Sequence, residues 1–557
     1  MPAPYSALIA AARGIVPADI VYRNAEIFDA FSGGWEHADL AVKGDTIVGI
    51  GRSYQGLREQ DLHGRYLLPG LIDAHVHIES SLLLPHEYAR LVARHGTTTV
   101  IADPHEIANV AGIAGIEFML SGREQAATDI LFMLPSCVPA IPADVGGAVL
   151  DASALAPFIG REGVLGIGEM MNVPGVLEGN PKVLAKLALS GIRDGHAPLL
   201  SGNDLNAYIL AGLQSDHECT NRDEAEEKLR RGMYIYIREG STEHNIAALV
   251  PLVTAANVSR CCFATDDCHA DLLEHDGHID RCIRRAVACG LEPELAIRMA
   301  TLSAAERFGL ADRGALAPGR RADLCVIDNL KDVTVLRTIL SGREAPITIR
   351  GVPLPALPPG IRCSTPSSRQ IRITGAGRAR VIGLVPRQII TETLRFDIEA
   401  DSVPDRSRDV LKAVVCNRYG QPRIGIGLVH GFGFTHGAIA ASIAHDAHNI
   451  VAVGVEDKEI LRALDGVIRA QGGMAAVIGK NITLLPLDCG GLMSTLPYPD
   501  VVGRLDNLHV ITSEMEGIDD PFMYLSFLAL TVIPALRLTD RGVFDAVAFR
   551  DVPLYEE

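Results

Sequence analysis

Between residues 69 and 310, eight short apolar runs alternate with helical stretches, and no other feature restricts the fold as tightly. The runs are LIDAHVHI, TTTVIADP, DILFMLPSC, GVLGIGEMM, IRDGHAP, LQSDHEC, MYIYIRE and CCFATDD. Each has the length and apolar character of a buried strand, and alternation with helices is the pattern of βαβ units around a parallel sheet. NRDEAEEKLRRG typifies the helices between them, with Asn221 placed to cap its start and Gly232 just past its end. Eight such units over about 240 residues match the count and length of a closed (β/α)8 barrel, an α/β fold.

The 557 residues exceed what one core organises, so further units are expected around the barrel. Residues 1–68 read as short strands and turns, the N-terminal part of a small β domain. That texture returns in GALAPGRRADLCVIDNL, so 311–352 is read as the second part of the same domain, discontinuous in sequence. Residues 353–369, which include PLPALPPG and STPSS, form a Pro/Ser-rich linker, and 370–557 read as a C-terminal mixed α/β domain. Self-similarity at a solenoid period is lacking.

A formal net charge of −17 argues against nucleic acid or an anionic membrane as the main partner, since both demand a basic face. The 11 cysteines are scattered, with one local cluster at Cys261, Cys262 and Cys268 and no paired CxxC motif. Reduced thiols in a cytoplasmic protein account for them. MPAPYSALIAAARGIVPADIVYR does not read as a signal peptide. The longest apolar run, MYLSFLALTVIPAL at 523–536, is too short to span a bilayer and contains Pro534, so it is read as core.

Chemistry gathers at the ends of the eight runs. Asp73, His75 and His77 share one face of the first, because side chains alternate along a strand. Asp103 and His105 end the second, Glu169 the fourth, His196 the fifth, His217 the sixth, and Asp266 and Asp267 the eighth. Singly these are ordinary: Glu169 could cap a helix, His196 sit in a turn, Asp266 start a helix. Strand ends of a (β/α)8 barrel converge on one mouth, however, and imidazoles and carboxylates brought together there make a metal site. Four imidazoles and two carboxylates suffice for one or two divalent ions, and such ions acidify water for attack on an electrophilic carbon, with a carboxylate moving the proton.

PGLIDAHVH, the later single histidines, the terminal aspartate and APGRRADL resemble the amidohydrolase superfamily. DAHVHIESS, GTTTVIADPHEIANV, GEMMNVPGV, LNAYILAG, SDHEC, FATDDCHAD and HGFGFTHGAIAASIAHDAHNIVAVG resemble, more closely, the bacterial and archaeal adenine deaminases, over most of the chain. The resemblance implies hydrolytic deamination of adenine to hypoxanthine and ammonia, a step of purine salvage, at a dinuclear manganese or iron centre, with zinc as an alternative. It implies a small-molecule substrate and a homo-oligomer. His75, His77, Glu169, His196, His217 and Asp266 would be the ligands, Glu169 standing where many relatives carry a modified lysine. Asp266 would also carry the proton, and Asp267 would hold a purine nitrogen unless it caps the following helix. Glu79, Glu218, Arg238 and Ser241 are candidates for substrate contact. His105 stays outside the ligand set, as a ligand-orienting or structural residue. His445 and His448 could share a helix turn and a metal, though a structural or subunit-interface role is the preferred reading.

Two rival readings keep the same barrel. One opens a cyclic amide, as dihydropyrimidinase-like and imidazolonepropionase-like enzymes do, and the ligands alone barely separate it from deamination. The other is a non-catalytic scaffold, which would be expected to have lost ligands. The H-x-E plus P-C-x-x-C signature of zinc base deaminases finds only His77-Ile78-Glu79 here.

Overall fold

The computed structural model describes residues 4–141, 144–345, 354–386, 388–399 and 403–556. Of the expected return segment, 346–352 lie outside the described residues, as does Pro353 at the head of the Pro-rich run.

All eight runs form parallel strands: β1 (Leu71–Val76), β2 (Thr97–Ala102), β3 (Asp129–Leu134), β4 (Val164–Met170), β5 (Arg193–Gly195), β6 (Ser215–Asp216), β7 (Tyr234–Arg238) and β8 (Cys261–Ala264). They fall into two sheets, one ordered β5-β4-β3-β2-β1 and one ordered β6-β7-β8. At one seam the chain beyond β8 meets β1: Asp266 N–H donates to the His75 carbonyl at 3.0 Å, and Val76 and Asp266 form a parallel bridge. At the other seam Gln214 N–H donates to the Arg193 carbonyl at 3.3 Å, and Gly195 N–H to Ser215 Oγ at 3.2 Å. Every residue of β1 and β2 is buried, as expected of strands covered on both faces. The helix Arg222–Arg230 starts where its spacing predicts: the Asn221 side chain accepts the Glu224 N–H at 3.0 Å, and Gly232 takes φ +91° just beyond the end.

Another sheet draws strands from both flanks of this unit. Leu324–Ile327 runs antiparallel to Tyr66–Pro69, which pairs with Ala18–Asp29, so the chain after the eighth strand returns to the sheet that precedes the first. A further sheet of eight strands lies between Gly377 and Pro486, with the helix Asp457–Arg469 packed on it. In the 523–536 run, the helix Pro521–Phe527 is buried at every residue and belongs to the core. Among the described residues no helix is long and apolar enough to cross a membrane.

The C-terminal part closes over the carboxyl ends of the parallel strands. One apolar cluster runs through Ile107 and Phe132 on the strand side and Phe434 and Leu525 on the other. Polar contacts fix the register: Ser494 N–H to the Leu82 carbonyl at 2.8 Å, Tyr498 N–H to Glu87 Oε2 at 2.9 Å, and His509 Nε2 against Asp271 Oδ2 at 2.9 Å.

The Asp271 carboxylate raises the pKa of His509 to about 9, from an ordinary 6.5. A histidine raised on folding stabilises fully below its unfolded value, and that contribution fades as pH climbs through the folded value. The thermal midpoint of the wild type, relative to His509→Gln, should therefore shrink between pH 6.5 and 9. A difference that stays flat across this window rules the pair out as a stabilising contact.

Candidate metal centre

The strand ends deliver their side chains through a set of buried clamps. Asp73 shares a strand face with His75 and His77 but does not join them. Its carboxylate receives the Thr265 N–H at 3.2 Å, together with the Thr265 hydroxyl and the His75 N–H, so it ties β1 to the end of β8. His77 donates Nδ1–H to the Asp103 carbonyl at 2.9 Å, which leaves its Nε2 lone pair for the centre. Asp103 also accepts the Glu169 N–H at 3.0 Å through Oδ2. A Cβ at residue 168 would stand 1.9 Å from that oxygen, so the glycine of GIGEM is what lets the clamp form.

His196 and His217 are set by a buried ion pair beneath them. Asp216 accepts the Ala197 N–H at 2.8 Å and pairs with Lys228 Nζ at 2.9 Å, while Lys228 also donates to the Ala197 carbonyl at 2.6 Å. The two histidines flank residues joined by that clamp. Asp266 sits at φ +55°, a conformation uncommon for a residue with a side chain, and its peptide is held there by β1.

The six residues expected as ligands converge. Glu169 Oε1 lies 3.2 Å from His77 Nε2 and 3.9 Å from His75 Nε2, while Oε2 lies 2.8 Å from His196 Nδ1 and 3.2 Å from His217 Nε2. Asp266 Oδ1 is 3.1 Å from His77 Nε2 and 3.5 Å from His75 Nε2. The His75 and His77 Nε2 atoms are themselves 3.2 Å apart, and the His75 ring stacks on His217. All six residues are buried. Three overlapping triads have donor atoms within 4.8 Å of one another: His75, His77 and Glu169; Glu169, His196 and His217; His75, His217 and Asp266.

Burial pushes both carboxylates upward, yet each is held well below its usual range. For Glu169 the opposing effect comes from His196, His217 and His77; for Asp266 it comes first from Arg238 and then from His75 and His77. Arg238 Nη1 donates to Asp266 Oδ2 and to Glu218 Oε1, both at 2.5 Å, and Nη2 reaches Glu218 Oε2 at 3.2 Å. Carboxylates and imidazole nitrogens packed this closely away from water match the donor chemistry of divalent cations, and the two oxygens of Glu169 face two separate imidazole pairs.

Asp267, Glu218 and Arg238 line the cavity over this centre. Asp267 Oδ1 accepts the Ser80 hydroxyl. Glu79 and Ser241, expected to touch substrate, are not on that wall. Glu79 accepts the Ile107 N–H at 3.0 Å at the start of helix His105–Ala111, and Ser241 Oγ accepts the His269 N–H at 3.1 Å. His105 Nδ1 lies 3.4 Å from Glu169 Oε1, and its ring packs edge-on against His77. His445 Nδ1 and His448 Nε2 each meet one oxygen of Glu106, a contact within the chain, not between subunits. His448 Nδ1 accepts the Ala444 N–H at 3.3 Å, which leaves its proton on Nε2 for Glu106 and makes this a hydrogen-bonded junction.

The sequence reading missed the ceiling. Ile389, His445, Phe527 and Leu530 from the C-terminal part complete a cavity of about 30 Å³ over the centre. It adjoins a mostly apolar cavity of about 280 Å³, with Met171, His196, Glu218, Arg238 and Ile389 common to both walls. Only AHDAHN signalled a contribution from this region, because an apolar ceiling carries no spacing that differs from core.

Comparison with known proteins adds two family matches: the amidohydrolase family over residues 66–345, and the adenine deaminase C-terminal domain over residues 388–550. The chain is 68% identical over 557 residues to an adenine deaminase of Methanoregula boonei, covering 100% of this chain and 99% of the relative. It is 60% identical over 520 residues to an adenine deaminase of Methanoculleus marisnigri, covering 93% and 100%. It is 45% identical over 568 residues to one of Desulfatibacillum aliphaticivorans, covering 99% of each.

The clamp beneath His196 and His217 can be tested by removing its cation. Lys228→Ala leaves Asp216 buried without a counter-charge, and such a loss costs about 3–5 kcal/mol. A marked drop in the denaturation midpoint is expected, with weaker retention of metal measured by elemental analysis. A variant as stable as the wild type would contradict the clamp.

Proposed function

We propose how this chain works from the premise that it belongs to the adenine deaminase family of amidohydrolases. Its reaction is the hydrolytic deamination of adenine to hypoxanthine and ammonia. The eight parallel strands between residues 69 and 310 act as one closed (β/α)8 catalytic barrel, a reading supported by the hydrogen bonds across both seams between the two sheets. The described residues of 1–68 and 311–352 make the small β domain, and those of 370–557 the C-terminal α/β domain.

His75, His77, Glu169, His196, His217 and Asp266 hold a dinuclear centre. The observation that carries this is the placement of Glu169, one oxygen toward His77 and His75 and the other toward His196 and His217. An all-nitrogen-and-oxygen donor set suits manganese or iron(II), and zinc as well. When bound, such ions supply Lewis acidity and acidified water for addition at purine C6.

The proton work falls to Asp266. Arg238 occupies its Oδ2, so Oδ1, facing His75 and His77, is the oxygen turned toward the attacking water and takes its proton. Arg238 also keeps this carboxyl ionised in spite of its burial, which is the state a base requires. Asp266 passes that proton to purine N1, then carries the remaining proton of the added oxygen to the departing amine; the C6–N6 bond breaks, ammonia leaves, and hypoxanthine keeps the C6 carbonyl and the N1 proton. Asp267, held by Ser80, accepts a hydrogen bond from a purine nitrogen, and the Arg238–Glu218 pair forms the adjoining wall. Closing the apolar ceiling over these groups strengthens every charge interaction beneath it.

Asp266→Asn keeps the shape but removes the base, so kcat on adenine should fall by about 10²–10⁴-fold with the fold intact by circular dichroism. Substantial activity in that variant sinks the assigned role. Manganese-loaded wild type should release ammonia from adenine; ring opening of a hydantoin with no ammonia from adenine would overturn the reaction. Stripping the metal with a chelator should abolish ammonia release and lower the melting temperature, both restored by adding manganese.

A further inference from the structure

One nitrogen over the metal centre has no task in the metal site or the proton path. His445 belongs to the C-terminal part, and three contacts fix its ring in the wall of the small cavity. Its backbone N–H donates to the Ser526 carbonyl at 2.9 Å, its ring stacks on Phe527 with centroids 4.9 Å apart, and Nδ1 meets Glu106 Oε1. The other ring nitrogen, Nε2, is left open. It lies 3.9 Å from Asp267 Oδ1, too far for a hydrogen bond, and it bonds no other described residue. Unlike Nδ1 of the neighbouring His105, it keeps accessible surface. An open polar atom on a side chain that is otherwise buried, in the wall of a cavity, faces the contents of that cavity.

Glu106 settles what this nitrogen offers. Burial pushes the Glu106 carboxyl upward, yet the imidazoles of His445 and His448 hold it well below the usual carboxylate range. His445 thus has one carboxylate at Nδ1 and a second, Asp267, on the side of Nε2. Burial lowers its own pKa, but these two carboxylates outweigh that and raise it to about 9. Nε2 is therefore an N–H donor on a charged ring. Other donors around the cavity are spent. Arg238 gives Nη1 and Nη2 to Glu218 and Asp266, and its Nε has no accessible surface. His105 turns Nδ1 toward Glu169 and Nε2 toward Glu106. With C6 at the metals, N1 lies on one flank, where Asp266 delivers its proton. On the other flank N6–H, a donor, stands beside N7, an acceptor. Asp267 and His445 offer the matching acceptor and donor, side by side.

We propose that His445, contributed by the C-terminal part, donates Nε2–H to purine N7 while Asp267 accepts N6–H beside it. This rests on the reading that C6 lies at the metal centre. A charged donor at N7 draws electron density from C6 through C5, which favours addition of water there, and it holds the ring in one orientation. The C-terminal part then supplies a catalytic residue as well as a ceiling.

The test sets adenine against 7-deazaadenine, in which C–H replaces N7, using the manganese-loaded full chain. Ammonia release gives kcat/KM for adenine, and competition against that reaction gives an inhibition constant for 7-deazaadenine. In the wild type that constant should lie about 10–10²-fold above the KM of adenine, the loss expected when a buried charged donor is left unpaired. His445→Phe keeps a ring against Phe527 but has no N–H. It should cost adenine about 10–10²-fold in kcat/KM and leave the inhibition constant of 7-deazaadenine nearly unchanged, because that ligand never made the bond. His445→Gln, which retains an N–H on its amide, should recover part of the loss, and His445→Ala gives the first readout if the phenylalanine variant does not fold. A merely structural defect would weaken both ligands together. That outcome, or 7-deazaadenine competing as tightly as adenine in the wild type, overturns the proposal while deamination itself stands. Failure of the wild type to release ammonia from adenine would overturn the underlying reading instead.

Discussion

The placement of one buried carboxylate governs the rest of the molecule. Glu169 is 3% exposed and has an imidazole pair at each oxygen. A carboxylate in that setting loses its hydration and must recover it from fixed neighbours, or it becomes neutral. Neighbours that compensate it only at particular positions impose those positions on the chain. β1 must end at His75 and His77, β5 at His196 and β6 at His217, each within 3–4 Å of the same group.

Such tolerance is too fine for hydrophobic packing alone, and the surrounding polar clamps show how it is met. Asp103 fixes the Glu169 peptide and orients His77 from one residue, which couples β2 to both β1 and β4. Asp216 and Lys228 do the same for the β5 and β6 ends, where the strands are only three and two residues long and supply few ladder bonds of their own. Asp73 joins the first strand to the chain beyond the last. Each clamp is itself buried and charged, so the centre rests on a layer of groups that are stable only together.

Much of this was legible in the sequence because the signals are local. The eight apolar runs and the polar residue closing most of them are read from spacing, and all eight became strands. The six residues singled out as ligands are brought within reach of one another. What the sequence concealed has a common physical origin. Asp73 sits on the expected face but is drawn away by Thr265, nearly two hundred residues later in the chain, and no local pattern records that partner. Glu79 and Ser241 lie near strand ends, yet each accepts a backbone N–H, from Ile107 and from His269. Direction off a strand end is decided by the loop, and loop geometry is not periodic.

The C-terminal part then acquires a physical reason to be where it is. A metal-capable cluster at the open mouth formed by these strand ends would be wet, and its charges correspondingly weak. Ile389, Phe527 and Leu530 shut that mouth, and His445 stacks on Phe527 while binding Glu106 across the junction. Glu106 is adjacent in sequence to His105, whose ring touches both His77 and Glu169. The ceiling is therefore keyed to the centre through two neighbouring residues of one short helix. A displacement of the C-terminal part would loosen the packing of His105 against the centre as well as admit water, so docking and the polarity of the site are linked by the same contacts.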